Sequence, residues 1–83
     1  MYSIEFVESA QKEFAKLSKE NQQRVISVLE RIRVRPHTYA LRLSGSQVYR
    51  IRVGKLRVIL DILDKEQQII ILKVGNRETV YLP

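Results

Sequence analysis

Apolar positions follow different rhythms along this 83-residue chain. From Tyr2 to Val7 they alternate, with Tyr2, Ile4 and Phe6 set against Ser3, Glu5 and Val7, which predicts a short strand. Ala10, Phe14 and Leu17 then recur at helical spacing up to about Ser18. Ser9 is the expected N-cap, and Glu13 lies close enough to the helix start to favour it. Ser18 can cap a second helix, in which Val25, Val28, Leu29 and Ile32 form one apolar stripe. Arg24, Arg31 and Arg35 fall off that stripe, and Pro36 is expected to end the helix. The pattern predicts a helical hairpin whose apolar faces need a sheet.

His37 to Gln47 is polar, contains Gly and Ser, and reads as a connection. Beyond it the rhythm is that of strands. Val48–Val53 and Leu56–Leu63 flank a two-residue Gly54-Lys55 turn, and Asp64–Gln67 turns the chain into a further strand over Gln68–Val74. Gly75-Asn76 marks the next break, before Val80-Tyr81-Leu82. The expected order is β-α-α-β-β-β in one α+β domain over residues 1–83, two helices packed on a mostly antiparallel sheet.

With Gly54 and Lys55 as the turn, Arg52 lies directly across from Arg57, Ile51 from Val58 and Arg50 from Ile59. Tyr49, Ile51, Val53, Leu56, Val58, Leu60 and Ile62 then share the core face, and Arg50, Arg52 and Arg57 share the other. Two like charges opposite each other cost about 0.2–1 kcal/mol, a cost nothing in the fold demands. A phosphate bridging them would more than offset it, because charge-assisted bidentate hydrogen bonds are strong. Arginines on a hairpin are also compatible with a plain solvated face. Against that, pairing Ile62 with Ile69 is expected to set Ile59 opposite Leu72. Ile59, Ile70, Leu72 and Val74 would then lie beside the arginines as an apolar surface that a partner covers.

Charge sharpens this picture. Residues 31–60 carry eight bases (Arg31, Arg33, Arg35, Arg42, Arg50, Arg52, Lys55, Arg57) and no acid, whereas the flanks are close to neutral. The net charge of +6 is thus concentrated in the middle third, as expected of a surface that meets a polyanion, here nucleic acid. Cysteine is absent, there is one histidine, and the acids are scattered, so neither disulfides nor a metal or cofactor site is expected. No signal peptide is evident and the longest apolar run, Ile69–Leu72, cannot span a bilayer, so the expectation is a cytoplasmic protein that binds no membrane. His37, in a connection, reads as structural or solvated.

The string Tyr49-Arg50-Ile51-Arg52-Val53-Gly54, then Arg57-Val58-Ile59, then Val74-Gly75-Asn76-Arg77-Glu78-Thr79-Val80-Tyr81, resembles the RelE/ParE toxin superfamily, and its ending most resembles RelE. The resemblance covers nearly the whole chain. It implies a RelE-like fold and a toxin of a type II toxin–antitoxin pair. The implied activity is cleavage of mRNA in the ribosomal A site without a metal, and the implied partners are the ribosome with mRNA and a RelB-like acidic antitoxin. By position it implies the functional set Arg50, Arg52, Arg57, Arg77 and Tyr81, of which the first two are commonly lysines in that family. Relatives that cut by an acid/base pair often have histidine where this chain has Asn76.

Arginine, with a pKa above about 12, cannot serve as a general base but stabilises developing phosphate charge. Arg52 and Arg57 are therefore expected on the scissile phosphate, with Arg50 and Arg77 as further anchors. Tyr81 could exchange a proton or stack on a base, or simply pack on the sheet edge. Asp61, on the arginine face, could pin a guanidinium. Arg31, Arg33, Arg35, Arg42 and Lys55 are expected to contact nucleic-acid backbone irrespective of sequence. Two other readings share the fold: a ParE-like inhibitor of DNA gyrase, and an RNA- or protein-binding homologue without turnover. The antitoxin is expected to lay an amphipathic helix on Ile59, Ile70, Leu72 and Val74.

Overall fold

A computed structural model describes residues 1–42 and 48–76, apart from the side chain of Arg42. The elements run β1 (Ser3–Phe6), α1 (Glu8–Ala15), α2 (Lys19–Ile32), α3 (Pro36–Tyr39), β2 (Leu41–Arg42), β3 (Val48–Val53), β4 (Leu56–Leu63) and β5 (Gln68–Asn76). The strands form one sheet in the order β1-β5-β4-β3-β2. Only β1 runs parallel to its neighbour, with Ile4 opposite Ile69 and Phe6 opposite Ile71. The α+β architecture is therefore as the sequence implied, with a mixed sheet that is mostly antiparallel.

The first helix is capped by the backbone at Val7 rather than by Ser9, which lies inside it. Ser18 does cap α2, its hydroxyl accepting the Asn21 N–H at 3.2 Å. Helix α2 stops at Ile32, four residues short of Pro36. That proline instead opens α3, at a first-turn position where its missing N–H costs nothing. The stretch from His37 onward, expected as an irregular connection, thus holds most of a short helix and the two-residue edge strand β2.

Val25, Leu29 and Ile32 of α2, with Ala10 of α1, pack against Ile51, Val53, Leu56, Val58, Leu60, Ile62, Ile69 and Ile71 on one face of the sheet. That face was legible because β3 and β4 alternate strictly. Their turn also behaves as expected: of its two central residues only Gly54 has a positive φ, 61°, which matches a type II′ turn with glycine at its first central position. At the other end of β4, the Gln67 N–H donates to the Asp64 carbonyl at 3.1 Å and Gln67 takes up φ 50°.

The pairing of β4 with β5 departs from expectation. Ile62 meets Ile69 and Leu60 meets Ile71, but Ile59 meets Lys73, not Leu72, and Val58 meets Val74. Leu72 is the extra residue of a β-bulge. Side chains alternate strictly along a strand, so one inserted residue moves everything after it to the opposite face. Val74, expected beside the arginines, is consequently a core residue only 2% exposed. Without the bulge Lys73 would face the core opposite Val58, and burying an unpaired ammonium is prohibitively costly.

Candidate nucleic-acid-binding site

The β3–β4 register places Arg50 opposite Ile59 and Arg52 opposite Arg57. All three arginines lie on the sheet face turned away from the helices, since the intervening Ile51, Val53, Leu56 and Val58 are in the core. Arg52 is exposed; Arg50 and Arg57 are half-buried. The ion pairs among the described residues are Lys12–Glu8, Arg24–Glu20 and Arg33–Glu30, His37 lies within hydrogen-bond distance of Asp64, and none of these contacts involves Arg50 or Arg52. Nor does Asp61 pin either guanidinium; it sits further along β4, between Val48 and Ile70. The Arg50 Nε is buried without an acceptor among the described residues, leaving the terminal nitrogens as its remaining donors. Two arginines opposite each other across a ladder, with a third one row away, are an arrangement whose guanidinium groups can offer bidentate hydrogen bonds to a phosphate.

Other predicted cations divide into two groups. Arg31, in the last turn of α2, and Arg35 and Lys55 are exposed and have no carboxylate partner among the described residues. Arg33 is engaged within the fold. Its Nε donates to the Tyr2 carbonyl at 2.9 Å, its Nη1 lies 3.3 Å from Glu30, and its own carbonyl accepts the Tyr2 N–H at 2.9 Å. Those contacts tie the N-terminal strand to the end of α2. The Arg42 side chain, Arg77 and Tyr81 lie outside what the structure describes.

Of the four apolar residues expected to receive a partner, Ile70 and Leu72 are half-buried and available. Ile59 is on the arginine face yet only 2% exposed, and Val74 has moved to the core. Apolar surface that the sequence reading missed appears instead at the β2 edge. Tyr39 and Leu41 are 49% and 62% exposed there. They line a cleft with Val28 and Ile32 that Arg31, Arg50 and Arg52 flank. The signal was weak, because neither residue belongs to a long periodic segment.

His37 packs at the end of the β3–β4 hairpin remote from its turn. Its Nε2 is 2.8 Å from Asp64 Oδ1, which also accepts the Tyr2 hydroxyl at 2.7 Å, and its ring meets Tyr49 edge-on at 5.4 Å. Asp64 is seven residues from Arg57 along β4, roughly 23 Å at strand spacing. The hydrogen bonds from His37 and then Tyr2 hold the Asp64 carboxyl below its ordinary range, and the bond to Asp64 raises the Tyr2 phenol above its own. The cluster joins β1, α3 and the β4–β5 turn, in keeping with the structural role expected of His37. Among the described residues no three His, Cys, Asp or Glu side chains converge as metal ligands, and no helix is long and apolar enough to cross a membrane.

Residues 4–81 match the family described as the ParE toxin of the type II toxin–antitoxin system parDE. The chain belongs to the RelE/ParE toxin superfamily. A RelE-like toxin protein of Escherichia coli, so described putatively, is 32% identical over 80 residues, spanning 93% of this chain and 84% of the relative. Among solved structures, the intact E. coli RelBE toxin–antitoxin complex matches with TM-score 0.81 at 22% identity, covering 92% of this chain and 96% of that one. The archaeal RelE–RelB complex from Pyrococcus horikoshii matches with TM-score 0.79 at 24% identity, covering 95% and 98%. The isolated E. coli RelE toxin gives 0.80 at 23%, covering 96% and 88%. The superfamily fold is thus a helical layer on one face of the sheet, and this member sets a basic hairpin on the other.

Proposed function

We propose that this RelE/ParE-type chain is a cytoplasmic, ribosome-dependent endoribonuclease that cuts mRNA in the A site and is held inactive by a cognate acidic antitoxin. The observation that carries the proposal is Arg52 set directly across from Arg57, one row from Arg50, on the face the helices leave open. RNA scission of this kind is attack by a ribose 2′-oxygen on the adjacent phosphorus. The P–O5′ bond breaks as the new P–O2′ bond forms, leaving a 2′,3′-cyclic phosphate and a free 5′-hydroxyl. Charge accumulates on the phosphoryl oxygens, where Arg52 and Arg57 act as fixed cations, and Arg50 anchors the neighbouring backbone. None of the three accepts a proton near neutral pH. Proton transfer therefore falls to Tyr81, to water or to the ribosome, and Arg77 joins the phosphate contacts, as the superfamily pattern implies for both residues.

A site built on charge and positioning depends on its substrate being held in line. The ribosome supplies that constraint, so free RNA is a poor substrate under this reading. Arg31, Arg35, Arg42 and Lys55 add backbone contacts that do not read sequence. The antitoxin is proposed to cover Ile70 and Leu72, and to fill the cleft at Tyr39 and Leu41 while its acids meet Arg31, Arg50 and Arg52. The solved relatives seen as toxin–antitoxin complexes support such a partner.

Mapping transcript ends after induced expression tests the proposal. Cuts within codons, abolished by Arg57→Ala, are expected. A second reading, gyrase inhibition, draws on the ParE description of the matching family. It predicts DNA breaks and supercoiling defects in arrested cells whose transcripts stay whole.

A further inference from the structure

The β5 bulge does more than keep a lysine out of the core. It sets Lys73 opposite Ile59, which is itself opposite Arg50, so Arg50, Ile59 and Lys73 form one row across three strands. The next row is Arg52, Arg57 and Gly75. At ordinary strand spacing the Cα atoms of Arg50 and Lys73 are about 10 Å apart, and the two rows about 7 Å. Arg50 and Lys73 therefore flank Ile59 in its row, with Arg52 and Arg57 in the row toward the turn and Asp61 in the row on the other side, and Gly75 projects no side chain beside Arg57. Lys73 is exposed and makes no ion pair among the described residues.

The strand edge beside the bulge is also satisfied. β1 pairs with β5 up to Phe6 opposite Ile71, the Val7 N–H donating to the Ile71 carbonyl at 3.0 Å, and no described strand pairs with that edge of β5 beyond it. There Glu13, reaching from α1, accepts the Val74 N–H with its Oε1 at 3.0 Å. A carboxylate on a strand N–H is a charge-assisted bond, and it closes a donor next to the disrupted stretch of ladder. Bulges recur beside functional sites because they re-aim a side chain.

We infer that Lys73 is a further backbone contact for RNA on the arginine face. The inference rests on the RNA-binding reading above. If Lys73 is on the outer face only because a polar residue is barred from the core, an uncharged polar side chain serves equally well. Lys73→Gln separates the two.

The experiment measures binding of the purified chain to a fluorescent single-stranded oligonucleotide carrying 2′-O-methyl groups, which cannot be cut, across a salt series. Each phosphate neutralised on a single strand contributes about 0.7 to the slope of log affinity against log salt. Lys73→Gln is expected to lower the slope by about that amount, so that its deficit against wild type widens about fivefold per tenfold dilution of salt. Lys73→Arg should keep the slope. An unchanged slope in Lys73→Gln overturns the inference. Arg52→Gln is the control: if it weakens binding and Lys73→Gln does not, only the role of Lys73 falls. If neither changes binding, the RNA reading falls with it.

Discussion

Replacing Arg52 should move stability and activity in opposite directions. Arg52 is exposed and directly opposite Arg57, and it has no carboxylate partner among the described residues. Like charges facing each other across a ladder destabilise by about 0.2–1 kcal/mol. Arg52→Gln removes that repulsion while keeping much of the aliphatic stem, so the folded state should gain a comparable amount. A domain of this size has a urea slope near 1 kcal/mol/M, so the midpoint should rise by roughly 0.2–1 M at low salt. At 1 M salt the Debye length shrinks to about 3 Å and the gain should largely vanish. Cleavage on programmed ribosomes should fall on the order of 10²–10³-fold, the usual loss when one donor to a developing oxyanion is removed. A midpoint that drops, or rises equally at both salt concentrations, refutes the electrostatic reasoning. Undiminished cleavage refutes the assignment of Arg52 to phosphate.

Other outcomes rest on single features of the fold. The Asp64 carboxyl is held below its ordinary range, so its folded pKa lies below the unfolded one, and its contribution is present above about pH 4 and lost as pH falls through the folded value. In acid titrations monitored by circular dichroism, Asp64→Ala should therefore differ from wild type near neutrality and converge with it at low pH. The Tyr2 phenol is shifted up, so its share is present below pH 10 and lost above it. Gly54→Ala should cost about 1–2 kcal/mol in a denaturant titration, the price of φ 61° for an L-residue. A Cβ there would meet Arg24 Nη1 at an ordinary 3.7 Å, so no clash adds to that cost. Leu72→Ser should leave the fold nearly as stable while weakening capture of the antitoxin in a pull-down. Val74→Ala, in contrast, should destabilise by about 1–3 kcal/mol, because its side chain is in the core.

The β3–β4 hairpin was legible down to individual pairs because its alternation is strict and a two-residue turn with glycine fixes the register. Ser18 was legible because a cap is a local signal. The β5 register was not: Ile69 to Leu72 is apolar on both faces, so periodicity alone cannot assign Lys73 and Val74 to a side of the sheet. The clue was Lys73, which a regular strand would have driven into the core; only a bulge accommodates Ile71-Leu72-Lys73-Val74. Pro36 carried two possible meanings, a stop or a start, and tertiary packing chose the start. Arg33 and Glu13 read as generic charges because their partners, Tyr2 and Val74, are distant in sequence. The placement of Arg50, Arg52 and Arg57 on one face was thus evident from sequence, whereas the outward position of Lys73 and the burial of Val74 depended on the pairing of β4 with β5.

The most direct measurement is an in vitro one, with purified ribosomes carrying a defined mRNA and an empty A site. Added to these, the wild-type chain should cut the message in the A-site codon and leave a 2′,3′-cyclic phosphate end. The double variant Arg52→Ala/Arg57→Ala should stay folded, as its circular dichroism shows, yet cut nothing. An intact message with the wild-type chain, or equal cutting by the double variant, contradicts the claim that guanidinium groups paired across the β3–β4 ladder perform the chemistry.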